Sequence, residues 1–245
     1  HLTELVYAAG AGDRIVGTVD TSDHPAAATK IPRIGDVTRL DAERLLALRP
    51  DLVIAWGDGT PAEQLALLRR LGVRSLAMQQ NALADVPDAV EQLGRLFGTE
   101  PVASAEARRL RDELARLRAR YAQAKPLRVF YQVWDAPLYT LGGTQVATEM
   151  LAVCGARNVF ADERHSAFAV DAESVYAAAP DVVVLAGSAA ETVAWQARWA
   201  ERPRLAAAFV ALDPDLANRM GPRIVAGTAV LCGKLDAVRA SKVAS

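Results

Sequence analysis

The residues best suited to chemistry in this sequence are aromatic side chains at or near the ends of predicted elements. Trp56 ends one predicted strand and precedes Gly57-Asp58-Gly59, and Trp134 ends another. His24 and Phe168 lie in predicted loops. In open α/β sheets ligands bind at the carboxyl ends of strands, where flat aromatic faces suit a large, flat and partly apolar ligand. A tryptophan at a strand end can equally fill the core, and the sequence leaves both roles open.

Two glutamates occupy the same position in a segment that occurs twice. A predicted short helix begins Asp-Ala-Glu, at Glu43 in one copy and Glu173 in the other, and leads through a Pro-Asp turn into an apolar strand. The strands end at Gly57 and Gly187, with the same spacing inside each copy. The helix dipole alone favours a glutamate in a first turn. Its repetition favours a further role, in docking to a partner.

The composition is that of an ordinary globular protein. Apolar residues make up 51% of the chain, and the formal net charge is −1. A chain without excess positive charge does not attract phosphate backbones, which excludes nucleic acid as the expected partner. The longest apolar runs have the length of strands, far short of the roughly 20 residues of a membrane-spanning helix.

Motifs of enzymes are absent from the sequence. There is no GxSxG, no P-loop and no HExxH. His1, His24 and His165 are far apart in the sequence, so the fold would have to assemble any metal site. No nucleophile–base pair is evident, and the sequence favours binding without catalytic residues or a cofactor. The alternative from another functional class is an enzyme whose active site lies in a cleft between two lobes.

Strands that alternate with helices predict an α/β fold in two lobes. Residues 1–100 and 126–245 are each expected to form a lobe with a central parallel sheet flanked by helices, and residues 14–18 a short strand of the first. Residues 101–125 place apolar side chains every three or four positions among paired charges, which predicts one long, rigid inter-lobe helix. A surface helix of the first lobe is the alternative.

The two cysteines leave the redox state open. Cys154 and Cys232 can be buried thiols or a disulfide, and a disulfide requires an oxidising compartment. The chain opens at His1 inside a predicted helix, and we expect a leader to have preceded it.

The run from Leu40 to Trp56 resembles the first-lobe signature of periplasmic substrate-binding proteins of ABC importers, in the class with a rigid inter-lobe helix. The resemblance extends over nearly the whole chain, including residues 3–10, 153–160 and 222–232, and is greatest to the vitamin B12 (cobalamin)-binding members. It implies an exported, periplasmic, monomeric protein that captures cobalamin or another corrinoid between its lobes.

The resemblance also assigns roles to residues. Trp56 matches a tryptophan that stacks on the ligand, and Asp215 an aspartate that hydrogen-bonds the corrin periphery. Trp134, Phe168 and His24 are expected to line the same cleft. The remaining assignments are Glu43 and Glu173 as docking points for the membrane permease subunits, and Cys154 with Cys232 as a disulfide.

Some positions depart from the cobalamin-binding pattern. Thr21, Val37 and Ala167 stand where those proteins have further cleft aromatics. Fewer stacking surfaces leave several alternatives: an altered mode of cobalamin binding, a lighter corrinoid such as cobinamide, haem, or a ferric siderophore. A siderophore would require basic residues, for which Arg219 and Arg164 are the candidates.

Overall fold

A computed structural model describes residues 1–36, 38–201 and 205–243, and internal contacts divide the chain into two units. The first unit comprises His1–Gln80, Ala84–Leu110 and Met220–Pro222, and the second comprises Asn81–Leu83, Arg111–Arg219 and Arg223–Ser245.

The first unit contains a two-stranded parallel sheet. β1 (Val53–Trp56) pairs with β2 (Ser75–Met78), and Trp56 lies opposite Met78. Leu45 and Leu68, which come from two of the helices, are buried in a cluster with Ile34. The helices that belong wholly to this unit are α1 (Leu2–Ala8), α2 (Ala42–Ala47), α3 (Ala62–Arg70) and α4 (Asp85–Phe97); 3-10 turns occupy Gly12–Arg14 and Ala26–Lys30.

The strand predicted at residues 14–18 is wrong. Gly12–Arg14 forms a 3-10 turn, and Thr18 makes only an isolated bridge to Arg33. The Arg33 guanidinium donates hydrogen bonds to Thr18 Oγ1 at 2.5 Å, and to the carbonyl oxygens of Val19 and Ser22, each at 2.9 Å. The chain therefore curves around one arginine, a tertiary contact that overrides the local strand pattern.

The long helix predicted between the lobes is α5 (Glu100–Tyr121). Its residues up to Leu110 belong to the first unit, and those from Arg111 belong to the second. The apolar positions are buried at helical spacing, and exposed charges pair along the helix, as between Arg109 and Glu106 at 2.7 Å. The buried positions are Ala103, Ala107, Leu110, Leu114, Leu117 and Tyr121.

The second unit contains a six-stranded sheet that is mixed, where the sequence predicted a parallel one. β3 pairs in parallel with β5 and β7, but β4 and β6 are antiparallel. Only two residues, Ala136 and Pro137, separate β3 from β4, too few for the crossover that parallel neighbours need. The strands are β3 (Leu127–Asp135), β4 (Leu138–Leu141), β5 (Ala156–Asn158), β6 (Ala167–Ala169), β7 (Val182–Ala186) and β8 (Ala208–Leu212).

A disulfide joins two helices of the second unit and confirms the pairing that the family resemblance implied. Cys154 and Cys232 are bonded and fully buried, which ties the end of α6 to the middle of α10. Neither α10 nor any other helix in the described ranges is sufficiently long and apolar to cross a membrane. The helices are α6 (Val146–Val153), α7 (Ala172–Ala178), α8 (Ala189–Ala200), α9 (Pro214–Ala217) and α10 (Arg223–Val243).

Candidate ligand-binding and docking residues

Trp56 is held firmly at the carboxyl end of β1 and is still 42% exposed. Its backbone N–H donates to Thr60 Oγ1 at 3.1 Å, and its carbonyl oxygen accepts from the Thr60 N–H at 2.9 Å. The indole ring lies against Gly59, and the His1 ring meets it edge-on with centroids 5.3 Å apart. The sequence did not predict a role for His1, because only the fold brings it to this strand end.

Trp134 lies within the last residues of β3 and is 54% exposed. Between Gln132 and Trp134, β3 carries one residue more than β4, which forms a β-bulge. Bulges change the direction of a side chain and are frequent beside functional sites. The exposure and the bulge both favour a binding role for this tryptophan over a place in the core.

Polar contacts hold the β3 end that carries Trp134. Trp199 Nε1 donates to Gln132 Oε1 at 2.7 Å, and the Gln132 amide donates to Asp135 at 3.4 Å. Asp135 also forms an ion pair with Arg198. These contacts restrain the strand on both sides of Trp134.

Phe168 lies in strand β6, where the sequence predicted a loop, because β4 supplies an antiparallel partner through Thr140. Its half-buried ring meets Phe160 edge-on at 5.7 Å, and Phe160 in turn meets the buried Phe130 at 6.0 Å. Phe168 therefore helps to close the core of the second unit and leaves only part of its ring exposed.

His24 and Asp215 differ in whether their side chains already have a polar partner in the protein. His24 is exposed, and no hydrogen bond or ring contact to another described residue engages its side chain. Asp215 lies half-buried in α9 and forms an ion pair with Arg219 at 3.0 Å. A ligand that hydrogen-bonds Asp215 would share this carboxylate with the guanidinium.

Within each unit, the structure does not connect these candidates by direct contacts. Within the first unit no hydrogen bond or ring contact links Trp56 to His24, and within the second none links Trp134, Phe168 and Asp215. Nor does any group of three potential metal ligands occur among the described residues. An open depression of about 670 Å³ in the first unit lies elsewhere, because its lining comes from Ala8 and α5.

Glu43 and Glu173 occupy equivalent places in α2 and α7. Asp41 caps α2 by accepting the Arg44 N–H at 3.0 Å, and Asp171 caps α7 by accepting the Ser174 N–H at 2.7 Å. Hydrogen bonds from the Ser174 hydroxyl and from its backbone N–H hold the pKa of Asp171 below its usual value. Each glutamate is the second residue of its helix and exposed, without an ion pair or hydrogen-bond partner among the described residues.

The backbone also repeats after these helices. Arg49 and Ala179 have φ values of 46° and 41°, and each precedes the proline of its copy. Positive φ is uncommon for residues other than glycine. The two helices are therefore connected to their strands, β1 and β7, by turns of the same form.

A family model described as periplasmic binding protein matches residues 1–213. The chain belongs to the periplasmic binding protein family. A vitamin B12-binding protein from Yersinia pestis (strain Pestoides F) is 33% identical over 236 residues, which span 96% of this chain and 84% of that relative.

Solved structures of other periplasmic binding proteins share the fold. The vitamin B12-binding protein BtuF of Vibrio cholerae superposes with a TM-score of 0.86 at 32% identity, covering 97% of this chain and 94% of that one. The heme-binding protein RhuT from Roseiflexus sp. RS-1, in apo form, superposes with a TM-score of 0.82 at 26% identity, covering 97% and 95%. The family resemblance and the two-lobed α/β fold predicted from the sequence are thus confirmed.

Proposed function

We propose that this periplasmic binding protein captures cobalamin or a related corrinoid and delivers it to an ABC importer. The observation that carries the proposal is a fixed but exposed Trp56 in a chain 33% identical to a vitamin B12-binding protein. A corrinoid is a large ring with an extended apolar face, and an indole held in place offers it contact area at little cost in conformational entropy.

Residues of both units contribute to the proposed binding. Trp56 and His24 belong to the first unit, and Trp134, Phe168 and Asp215 to the second. Trp56 and Trp134 supply flat faces, Phe168 a partly exposed ring edge, and Asp215 an acceptor at the ligand's periphery. We further propose lobes at residues 1–100 and 126–245, connected by the segment 101–125, in which the helix α5 extends to Tyr121.

Haem is the second candidate ligand, favoured by the likeness to RhuT. Thr21 and Ala167 stand where cobalamin-binding members have aromatics, so this chain offers a ligand a smaller stacking surface, which agrees with a ligand other than cobalamin. Val37, the third such position, lies outside the described residues. A ferric siderophore is disfavoured, because the Arg219 charge is already compensated by Asp215. Arg164 is exposed, and by itself it gives little basic surface for an acidic chelate.

The proposed partners are the permease subunits of the importer. Glu43 and Glu173 present unpaired carboxylates, one from each unit, to arginines on those subunits. The protein would act as a monomer in the periplasm, where the Cys154–Cys232 disulfide is stable. It would bind its ligand without catalysing a reaction, in keeping with relatives that are named for binding.

Parallel titrations distinguish the ligands. Calorimetry with cyanocobalamin and with cobinamide, beside an absorbance titration with haemin, measures stoichiometry and affinity for each. We expect one corrinoid to bind per chain, more tightly than haemin. Tight haemin binding without corrinoid binding would retain the transport role and replace the ligand, and no binding of any of the three would contradict both.

A further inference from the structure

We infer that Gly59 is a positioning residue for the ligand: the absence of a side chain there lets the loop backbone support the Trp56 ring and fix its orientation. This inference rests on the proposed role of Trp56 as the stacking surface. Neither the sequence pattern nor the strand-end position of Trp56 assigns this role to the glycine.

The space beside Gly59 is filled by the indole. A Cβ placed on Gly59 would lie 1.8 Å from Trp56 Cε3, 2.1 Å from Cζ3 and 2.4 Å from Cδ2, all atoms of the six-membered ring. Real Cβ atoms essentially never approach another heavy atom within 3.0 Å. Because the Cβ would lie nearly as close to both bonded neighbours of Cε3 as to Cε3 itself, the approach is onto the ring face.

The backbone at Gly59 does not itself require glycine. Its φ lies outside the left-handed region, unlike that of Gly72 at +71°. An alanine could therefore adopt the same backbone, and the Trp56 ring is what excludes it. Glycine is therefore needed at this position to leave room for the Trp56 ring, and the loop conformation does not require it.

The other contacts of Trp56 complete its support. Thr60 hydrogen-bonds both backbone groups of Trp56, and the edge of His1 meets the indole at an interplanar angle of 83°. With Gly59 against one ring face, Trp56 as a whole remains 42% exposed. A tryptophan that merely filled the core would be buried, as Trp199 is at 3%. The arrangement thus gives an oriented aromatic surface that still faces solvent.

The test compares Gly59→Ala with Gly57→Ala, in the same loop. A Cβ at Gly57 would meet the flexible end of Gln79, with the nearest atom at 3.2 Å. Calorimetric titration with cyanocobalamin should show roughly tenfold weaker binding for Gly59→Ala and nearly unchanged binding for Gly57→Ala. Parental affinity in Gly59→Ala would overturn the inference.

A double-mutant cycle separates positioning from general damage. Gly59→Ala in a Trp56→Ala background should cause no further loss of affinity, since the ring it displaces is gone. An equal loss in both backgrounds would contradict positioning. Should Gly59→Ala not fold alone, recovered folding in the double variant would support the inference, and continued failure would overturn it.

The same cycle distinguishes failure of the inference from failure of the proposed function. If Trp56→Ala weakens binding but Gly59→Ala does not, only the role of Gly59 is contradicted. If Trp56→Ala itself binds cyanocobalamin like the parent, the proposed stacking surface is wrong and the inference falls with it.

Discussion

The four tryptophans separate into two classes once their exposure is known. Trp195 and Trp199 are 6% and 3% exposed and belong to the core of the second unit, whereas Trp56 and Trp134 are 42% and 54% exposed. The sequence predicts the position of each exposed ring near a strand end but not its exposure. Exposure depends on backbone geometry that the sequence does not show, namely the loop that brings Gly59 against Trp56 and the bulge at the end of β3.

Tyr131 is a core residue of β3 whose hydroxyl contributes little to stability. It is fully buried, its hydroxyl has no hydrogen-bond partner among the described residues, and burial raises its pKa. We expect Tyr131→Phe to unfold in urea at an equal or higher midpoint, gaining up to about 1 kcal/mol, because an unsatisfied polar group leaves the core.

Thr140→Val provides the comparison for that experiment. Thr140 is buried too, but its hydroxyl donates to the Tyr131 carbonyl oxygen at 2.8 Å. Its loss should cost about 1–2 kcal/mol in the same urea titration. A clear destabilisation in Tyr131→Phe would show that the Tyr131 hydroxyl has a hydrogen-bond partner in solution, which would contradict the prediction.

At the scale of elements, the sequence predicts those helices and strands whose formation depends on their own apolar pattern. Helices α3, α4 and α5 follow their apolar periodicity, and β7 and β8 follow continuous apolar runs. The strand predicted at residues 14–18 is wrong because the Arg33 guanidinium, distant in sequence, organises that segment. Likewise, no apolar run shows whether its neighbour in the sheet is parallel, so the mixed sheet of the second unit required the structure.

Asp181 connects three elements at the start of β7. Its carboxylate accepts the Arg128 N–H of β3 at 2.8 Å and binds Lys242 of α10 at 2.5 Å. Burial opposes the charged form, but the bonds from Arg128 and Lys242 prevail and lower the pKa of Asp181 below its usual value. A carboxyl group whose pKa is lower in the folded than in the unfolded chain stabilises the fold at pH values above its unfolded-state pKa. That stabilisation is lost as the pH falls below about 4.

The expected effect of Asp181→Asn therefore depends on pH. The variant should be less stable than the parent at neutral pH, and the difference should shrink as the pH falls below about 4. Urea denaturation at several pH values measures this, with the exposed Asp13→Asn as the control. A difference that grew on acidification would contradict the assigned contacts.

The whole molecule combines two units that share one repeated element, a capped helix followed by a turn and a strand, which we propose docks to the importer. Helices α2 and α7 carry the same cap, the same exposed glutamate and the same turn before the strand. This repetition was evident in the sequence, because it preserves spacing and residue type. Which ligand the protein carries was less evident, because the proposed ligand contacts come from side chains scattered along the chain, such as His24, Trp134 and Asp215.

Docking predicts a separation between ligand binding and transport. In cells where this chain is the sole cobalamin-binding protein, Glu43→Ala with Glu173→Ala should reduce uptake of labelled cyanocobalamin at least about tenfold. The affinity for cyanocobalamin measured by calorimetry should stay unchanged, because the two substitutions remove only contacts with the importer.

Glu63→Ala with Glu201→Ala is the matched control for this experiment. It removes the same charge, one exposed acid from each unit, at positions outside the repeated helices. Equal uptake by the two double variants would contradict docking through α2 and α7.

The most direct test of the account is the affinity of Trp56→Ala for cyanocobalamin, compared by calorimetry with that of Leu96→Ala. Leu96 is 47% exposed in α4 of the same unit and has no proposed role. If Trp56 is the stacking surface, its truncation should weaken binding roughly 10- to 100-fold while Leu96→Ala binds like the parent. Equal affinities for the two variants would contradict a corrinoid site built on Trp56.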